Sequence, residues 1–337
     1  MSPRILEAQC EWSAGDVADE ATWTEHFTDA ELAELDAALR HALQTSDNPL
    51  DLGREHFPLP TLQHRLARIE DELINGRGFV RLRGVDRRAY TQSEMELLYW
   101  GIGTHLGKPW AQNKYGHVLG DVTDQNKRPD DPTVRGNEIG GAALPFHCDG
   151  SDLVGLMCLE NGISGGLSAV ANSVRIHNTL VADRPELAEA LYDSLPNDFR
   201  GEQPKDGKPY YSMPVFTEWD DRLFVRCIPP YILASQRHPE TPRLTAVQRE
   251  ALMAVVQMAD DPDFHVTMEL RPGDMQFINN YHVLHGRTAY ADDREGGKVR
   301  HLKRLWLETS VLASRPEHFR NRSHWENNRT VSRMQVN

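Results

Sequence analysis

Three short stretches of this chain carry the residue types that bind metals and anions. The first is Phe146-His147-Cys148-Asp149-Gly150. On a β-strand, residues two apart share a face, so the spacing predicts His147 and Asp149 pointing one way and Cys148 the other. An imidazole nitrogen and a carboxylate oxygen on one face are two-thirds of a 2-His-1-carboxylate iron site. A surface strand bearing two polar residues gives the same letters. The second stretch is Gly273-Asp274-Met275-Gln276-Phe277-Ile278-Asn279-Asn280-Tyr281-His282-Val283-Leu284-His285-Gly286. A turn and an apolar strand lead into an Asn-rich break and two histidines three apart, either of which could complete the site. His282 also reads as a histidine hydrogen-bonded within its loop, whereas Gly286 lets backbone or cofactor approach His285 closely. The third stretch is Arg300-His301-Leu302-Lys303-Arg304-Leu305-Trp306-Leu307. As a strand it presents His301 and Lys303 to one side and Arg300, Leu302, Arg304 and Trp306 to the other. An arginine aimed into an apolar interior needs an anion. Either a structural Asp or Glu or a bound dicarboxylate would serve, and the planar guanidinium suits a carboxylate.

The elements that must position these residues fall into two blocks. The first hundred residues read as mainly helical. Thr28 and Glu31 form a capping box before Leu32, Leu35 and Leu39. A helix from about Thr61 carries Leu62, Leu66, Ile69 and Leu73 and stops at Gly76, and Thr91 with Glu94 opens a third through Met95, Leu98 and Ile102. Phe79, Val80 and Leu82 suggest a short strand between them. The polar, glycine-containing segment 110–141 reads as a lid or active-site loop, or as a plain surface excursion. From Pro145 the pattern is β-like: Val154 to Leu159, Leu167 to Val174, Leu223 to Cys227, Phe264 to Leu270, Met275 to Ile278 and Leu302 to Leu307. One helix, capped by Thr245 and Gln248, interrupts it. Helices first and many short strands after predict an α+β chain around an antiparallel barrel or sandwich.

Composition narrows the classes. The chain has 337 residues, with 37 Lys and Arg against 50 Asp and Glu, hence a net charge of −13. An acidic chain without a basic stripe is a poor partner for nucleic acid. The mildly basic stretch 315–333 reads as a solvated tail or surface helix. None of the four cysteines forms a C-x-x-C pair, so no zinc ribbon is expected. No secretory leader and no run of about 18 apolar residues is present, which predicts a cytoplasmic protein away from the membrane. P-loop, Rossmann and G-x-S-x-G patterns are also absent.

Taken together, four motifs resemble one family. They are L-P-F-H-C-D-G-S-D-L-V-G-L-M-C-L, S-G-G-L-S, G-D-M-Q-F-I-N-N-Y-H-V-L-H-G-R-T and R-H-L-K-R-L-W-L, and G-R-G-F-V-R-L-R-G-V is similar to an early strand of the same group. In order and spacing they resemble the taurine dioxygenase and clavaminate synthase group of iron(II)/2-oxoglutarate oxygenases. The resemblance implies a double-stranded β-helix (jelly-roll) core at 145–310 within one domain of 1–337. It places helical residues 1–105 before that core and an extension at 311–337 after it. It implies iron(II) on His147, Asp149 and His285. Arg304 would pair with the far carboxylate of 2-oxoglutarate, and Ser168 would hydrogen-bond the same group. O2 would be the second cosubstrate, with succinate and CO2 as products. A small polar metabolite such as an amino-acid derivative would be hydroxylated, or otherwise desaturated, epoxidised or cyclised. Gln112, Asn113, Arg226 and Tyr231 are candidate substrate contacts, each with packing as its plainer reading. Cys148 departs from the threonine commoner at that position, but it faces away from the ligands. Two other readings of the same residues are a zinc or manganese hydrolase on a cupin-like barrel and a non-catalytic sensor.

Overall fold

Threonine caps set the long helices. Thr28, Thr91 and Thr245 each accept a hydrogen bond from the backbone N–H three residues on, and the side chains of Glu31, Glu94 and Gln248 accept one from the cap residue's own N–H. In this computed structural model, which describes residues 3–7, 10–128, 130–131, 133–320 and 329–332, the helices are α1 (Asp29–Thr45), α2 (Leu62–Asn75), α3 (Gln92–Leu106), α4 (Ser173–Asp183), α5 (Pro185–Ala190), α6 (Pro229–Ser235) and α7 (Ala246–Asp260).

Two sheets lie between these helices. The larger runs in the order Thr24–His26, Phe79–Arg83, Met275–Asn279, Leu153–Glu160, His301–Glu308, His117–Thr123 and Thr330–Val331, with Lys108–Pro109 added beside the end of His301–Glu308. The smaller is antiparallel throughout: His265–Met268, Ser168–Asn172, Val283–Arg287 and Leu144–His147.

Alternation along the strands sorts the core into three layers. Met157, Phe277, Leu305 and Leu307 point out of the larger sheet onto Leu66 of α2 and Leu98 and Ile102 of α3. Ala169, Ala171 and Leu284 point out of the smaller sheet onto Leu180, Leu187, Leu252 and Val255. Between the sheets, Val154, Ile278, Leu302 and Trp306 meet Val170, Met268 and Val283. The inner face of the two sheets is thus largely apolar. Truncating Leu66, fully buried in the first layer, would cost about 2–5 kcal/mol.

Several expectations change. Segment 110–141 is not all loop: His117–Thr123 is a strand of the larger sheet, with irregular chain at 110–116 before it and again from Asp124. The charged Asp121 is tolerated inside because Lys303 Nζ and His301 Nε2 reach it at 2.6 Å each. Val174 belongs to α4, which begins without a turn directly after its strand, with Asn172 Oδ1 accepting the Arg175 N–H. In the basic C-terminal stretch, Arg315 is buried and paired with Asp152, and Thr330–Val331 docks on the sheet. Residues 321–328 and 333–337 of that stretch lie outside the described residues. No described helix is long and apolar enough to cross a membrane.

Candidate metal centre

His147 ends the strand Leu144–His147 and stands opposite His285 in the paired strand Val283–Arg287. Antiparallel pairing brings their rings to 4.3 Å between centroids. Asp149 lies just beyond the strand, so strand alternation alone does not aim it. Asn280 does: its Oδ1 accepts the Asp149 N–H at 2.7 Å, and its Nδ2 donates to the carbonyls of Asp149 (2.7 Å) and Ser151 (2.9 Å). The Asn-rich break between strands is therefore a clamp on the opposite loop.

Asp149 Oδ2 lies 3.7 Å from His285 Nε2, and Oδ1 lies 4.0 Å from His147 Nε2. One ligand atom from each of the three residues falls within 4.8 Å of the others, and among the described residues this is the single cluster of its kind. His147 Nδ1–H donates to the Pro145 carbonyl at 2.8 Å, which leaves the Nε2 lone pair facing the cluster. Burial lowers the pKa of both histidines, that of His285 to about 3 with His147 beside it, so both are neutral, as ligands must be. Burial opposes ionisation of Asp149, but Arg304 and then the histidines outweigh it and hold the carboxyl well below the usual range. Two neutral imidazoles and one ionised carboxylate on one side of a point suit a divalent iron with positions left open.

His282 lies elsewhere. It is buried, with Nε2 on the Cys10 carbonyl at 2.7 Å. Cys148 packs in the core outside the smaller sheet, its N–H on the Cys227 carbonyl at 2.8 Å.

Arg304 is held at the metal end. Nη1 donates to Asp149 Oδ2 at 3.0 Å and Nε to Gln112 Oε1 at 2.8 Å, while Gln112 Nε2 returns to the Arg304 carbonyl at 2.7 Å. Trp306 Nε1 donates to the same Asp149 oxygen at 2.9 Å. Gln112 thus orients Arg304. Asn113 turns the other way: it braces the turn to His117 and lines a neighbouring cavity. Arg226 and Tyr231 do line the cavity of about 350 Å3 that opens beside Asp149, with Trp110, Arg135 and Trp306. Arg226 Nη1 also donates to the Asp149 carbonyl.

A second polar group lies at the other end of the inner face. Arg287 follows His285 by two residues, roughly 7 Å along the same face. The Arg287 and Arg300 guanidiniums both lie over the Tyr290 ring, 4.6 and 5.3 Å from its centroid. Ser168 pairs with Arg287 in register and donates to Gln276 Oε1 at 2.6 Å. Neither arginine forms an ion pair with a described residue. Arg287 Nε, Arg300 Nε and Nη1, Tyr290 Oη and Gln276 Nε2 are all buried without a partner. Burial, and then the neighbouring Arg287, push the Arg300 pKa down to about 10. Sequence reasoning placed Arg300 on this face but passed over Arg287, whose signal was its two-residue spacing from His285.

Two facing sheets clad in helices, with two histidines and an aspartate at one end of the space between them, define a mononuclear metal oxygenase site. The chain matches the taurine catabolism dioxygenase TauD, TfdA family over residues 42–306 and belongs to it. This is a family of iron(II)- and 2-oxoglutarate-dependent dioxygenases, and the chain is an enzyme of that class with those cofactors. It is 32% identical to FR-33289 synthase of Streptomyces rubellomurinus, over 88% of each chain. It is 29% identical to the taurine hydroxylase-like protein SAT17 of Stachybotrys chartarum, over 90% of this chain and 82% of that one. Its fold is shared with asparagine oxygenase, solved with Fe(II), 3-hydroxyasparagine and succinate: TM-score 0.64, 20% identity, 88% of this chain and 97% of that one. It is shared too with the non-heme iron oxygenase OrfP, solved with Fe and alpha-ketoglutaric acid: TM-score 0.61, 19% identity, 86% and 95%.

Proposed function

We propose that this enzyme hydroxylates a small amino-acid derivative, coupled to conversion of 2-oxoglutarate and O2 into succinate and CO2. The carrying observation is the pairing of two sites on one inner face: a ligand cluster at one end and two unpaired buried guanidiniums at the other. Iron(II) held by His147, Asp149 and His285 would supply the O2 chemistry of the family. The rest falls to the chain's own residues. Trp306 and Arg304 hold the Asp149 carboxylate from outside, and Asn280 fixes its backbone.

The far carboxylate of 2-oxoglutarate goes to Arg300, not to Arg304. Arg304, bonded to the Asp149 carboxylate, would lie beside the metal, whereas the far carboxylate of a five-carbon diacid would need a cation away from it. Arg300 and Arg287 have free donors and no anion, and a buried cation in that state calls for one. Ser168 and Gln276 stand beside them. The neighbouring proteins bear on the substrate: the solved complexes contain hydroxylated asparagine and arginine, and other relatives are an enduracididine β-hydroxylase and an L-ornithine/L-arginine 3-hydroxylase. We read the facing sheets as a double-stranded β-helix and the whole chain as one domain.

The test is anaerobic titration with iron(II) and 2-oxoglutarate, followed by their visible charge-transfer band, then succinate release in air with amino-acid substrates. A band that needs both additions supports the reading. Absence of both band and succinate sinks it.

A further inference from the structure

The stretch that matches the family ends at Trp306, but the cavity beside Asp149 does not. Past the strand His301–Glu308 the chain continues as a strap at 309–320, and the last three residues of the strap, His318, Phe319 and Arg320, line that cavity too. This part of the wall lies outside the stretch shared with the family.

One buried carboxylate fastens the strap. Asp152 follows the metal-ligand candidate Asp149 by three residues and is fully buried. Its Oδ2 accepts the Thr309 N–H at 2.9 Å, and its Oδ1 accepts from Arg315 Nη1 and, at 2.8 Å, from the Tyr281 hydroxyl. Arg315 Nη2 donates back to the Thr309 carbonyl at 3.1 Å. The Asp152 carbonyl in turn accepts the Asn280 N–H at 2.9 Å, so the strap hangs from the loop that Asn280 clamps. Farther along, His318 Nε2 and Thr217 Oγ1 share a hydrogen bond at 3.1 Å.

These ties deliver Phe319 edge-on to the Tyr281 ring, with centroids 5.2 Å apart and planes at 88°, and 5.4 Å from Phe224. The one polar atom of the Tyr281 side chain is held by Asp152, so no free hydrogen-bonding group is left on that ring. Phe319, Tyr281 and Met213 belong to one buried apolar cluster, and all three line the cavity. Its other walls carry charged groups, but Glu202 is paired with Arg135, and Asp198 with Arg237 and His238. At about 350 Å3 the cavity is near the lower end of small-molecule sites, so the group that lies against the apolar patch is small. Hydrocarbon gains by leaving water there, whereas a polar group loses its water and finds no partner.

We propose that the strap is a specificity element: Phe319, with Met213 and Tyr281, receives an uncharged hydrocarbon group of the substrate and discriminates against a polar group of the same shape. This rests on the dioxygenase reading and adds the polarity of the substrate's side chain and the residue that selects it.

The test loads the full chain anaerobically with iron(II) and 2-oxoglutarate. Leucine is titrated against asparagine, and methionine against glutamine, pairs close in shape and unlike in polarity. Tryptophan fluorescence is followed, since Trp110 and Trp306 line the cavity. In wild type the apolar member of each pair should bind about tenfold or more tightly. Phe319→Ala should shrink that ratio, and Phe319→Leu, which keeps hydrocarbon at the site, should retain most of it. Where Phe319→Ala folds poorly, Met213→Gln makes the same comparison at nearly constant volume and should also shrink the ratio. A purely structural role would weaken both members of a pair alike and leave the ratio in place. An unchanged ratio in the variants, a polar member bound as tightly as its apolar partner in wild type, or no saturable binding of any of the four, each with the charge-transfer band intact, overturns the strap proposal and leaves the dioxygenase reading standing. Absence of the band in wild type overturns both.

Discussion

Arg304 lies in the strand His301–Glu308 and Arg300 just before its start, four residues away, yet their surroundings are opposite. Arg304 is answered by Asp149 and by both ends of the Gln112 amide. Arg300 is buried beside a second arginine, with Nε and Nη1 bonded to nothing. The first is part of the protein's own hydrogen-bonding; the second keeps two buried donors with no protein partner. Buried polar groups are nearly always satisfied, so the unsatisfied end of a site says more about its ligand than the satisfied end. Both ends draw on both sheets: His285 and Arg287 share one strand of the smaller sheet, while Arg304 at one end and Gln276 at the other come from the larger.

The largest effect should come from the ligand itself. Asp149→Ala removes a metal-binding oxygen and leaves Arg304 with only Gln112. Iron affinity and succinate release should fall well beyond the roughly 10–100-fold that loss of an outer-shell partner costs, as read by metal content and by product. Retained activity would dissolve the contrast between the two ends, because the metal would then not be where the structure gathers its ligands.

Next come the two arginines compared directly. Arg300→Gln should raise the KM for 2-oxoglutarate about a hundredfold, the loss of a bidentate charge-assisted contact, and leave iron affinity unchanged. Arg304→Gln should do the reverse, moving iron binding more than cosubstrate binding. Should Arg304→Gln alone raise the 2-oxoglutarate requirement, the assignment returns to Arg304. Trp306→Phe is milder still: it removes one hydrogen bond to Asp149 Oδ2, and iron affinity should drop about tenfold with KM for 2-oxoglutarate little changed.

How much of this was readable in advance differs between the two ends. The capping threonines Thr28, Thr91 and Thr245 and the apolar stripe from Leu62 to Leu73 are local signals, and those helices stand where periodicity places them. His147, Asp149 and His285 were legible from spacing and resemblance, although the clamp that aims Asp149 was not, because Asn280 is 131 residues away. The strand His117–Thr123 was hidden by Gly120 and Asp121. A buried aspartate reads as exposed until its partners are known, and His301 and Lys303 are far off in sequence. Gly120 is there for a contact no pattern shows: a Cβ would meet Gln112 Oε1 at 2.9 Å. Helix α4 was missed because alternating Ala169-Val170-Ala171 runs into it with no glycine or proline between. The resemblance pointed to Arg304 and we move that role to Arg300, because spacing puts both on one face but cannot show which of them already has a partner.

The smallest expected effect on the site belongs to the histidine three residues from the ligand. His282 points away from the inner face, its Nε2 on the Cys10 carbonyl and near Asn172, and Gly78 packs against its ring, where a Cβ would come within 2.9 Å. It fastens residues near the N-terminus to the smaller sheet. Burial pushes its pKa down to about 4, so it is neutral at neutral pH and stays a structural donor. Folding therefore binds this proton less readily than the unfolded chain does. Acid should destabilise the protein at this position as pH falls from the ordinary histidine range towards 4, and His282→Ala should lose this contribution while that of the other buried histidines, His285 among them, remains. The same variant should lose about 1–3 kcal/mol for the hydrogen bond and the unpaired carbonyl it leaves, seen as a lower melting temperature. Its iron affinity and its KM for 2-oxoglutarate should match wild type. If His282→Ala instead loses iron while His285→Ala keeps it, the ligand end has been built on the wrong histidine, and the contrast with the Arg300 end must be redrawn from the other face of that strand.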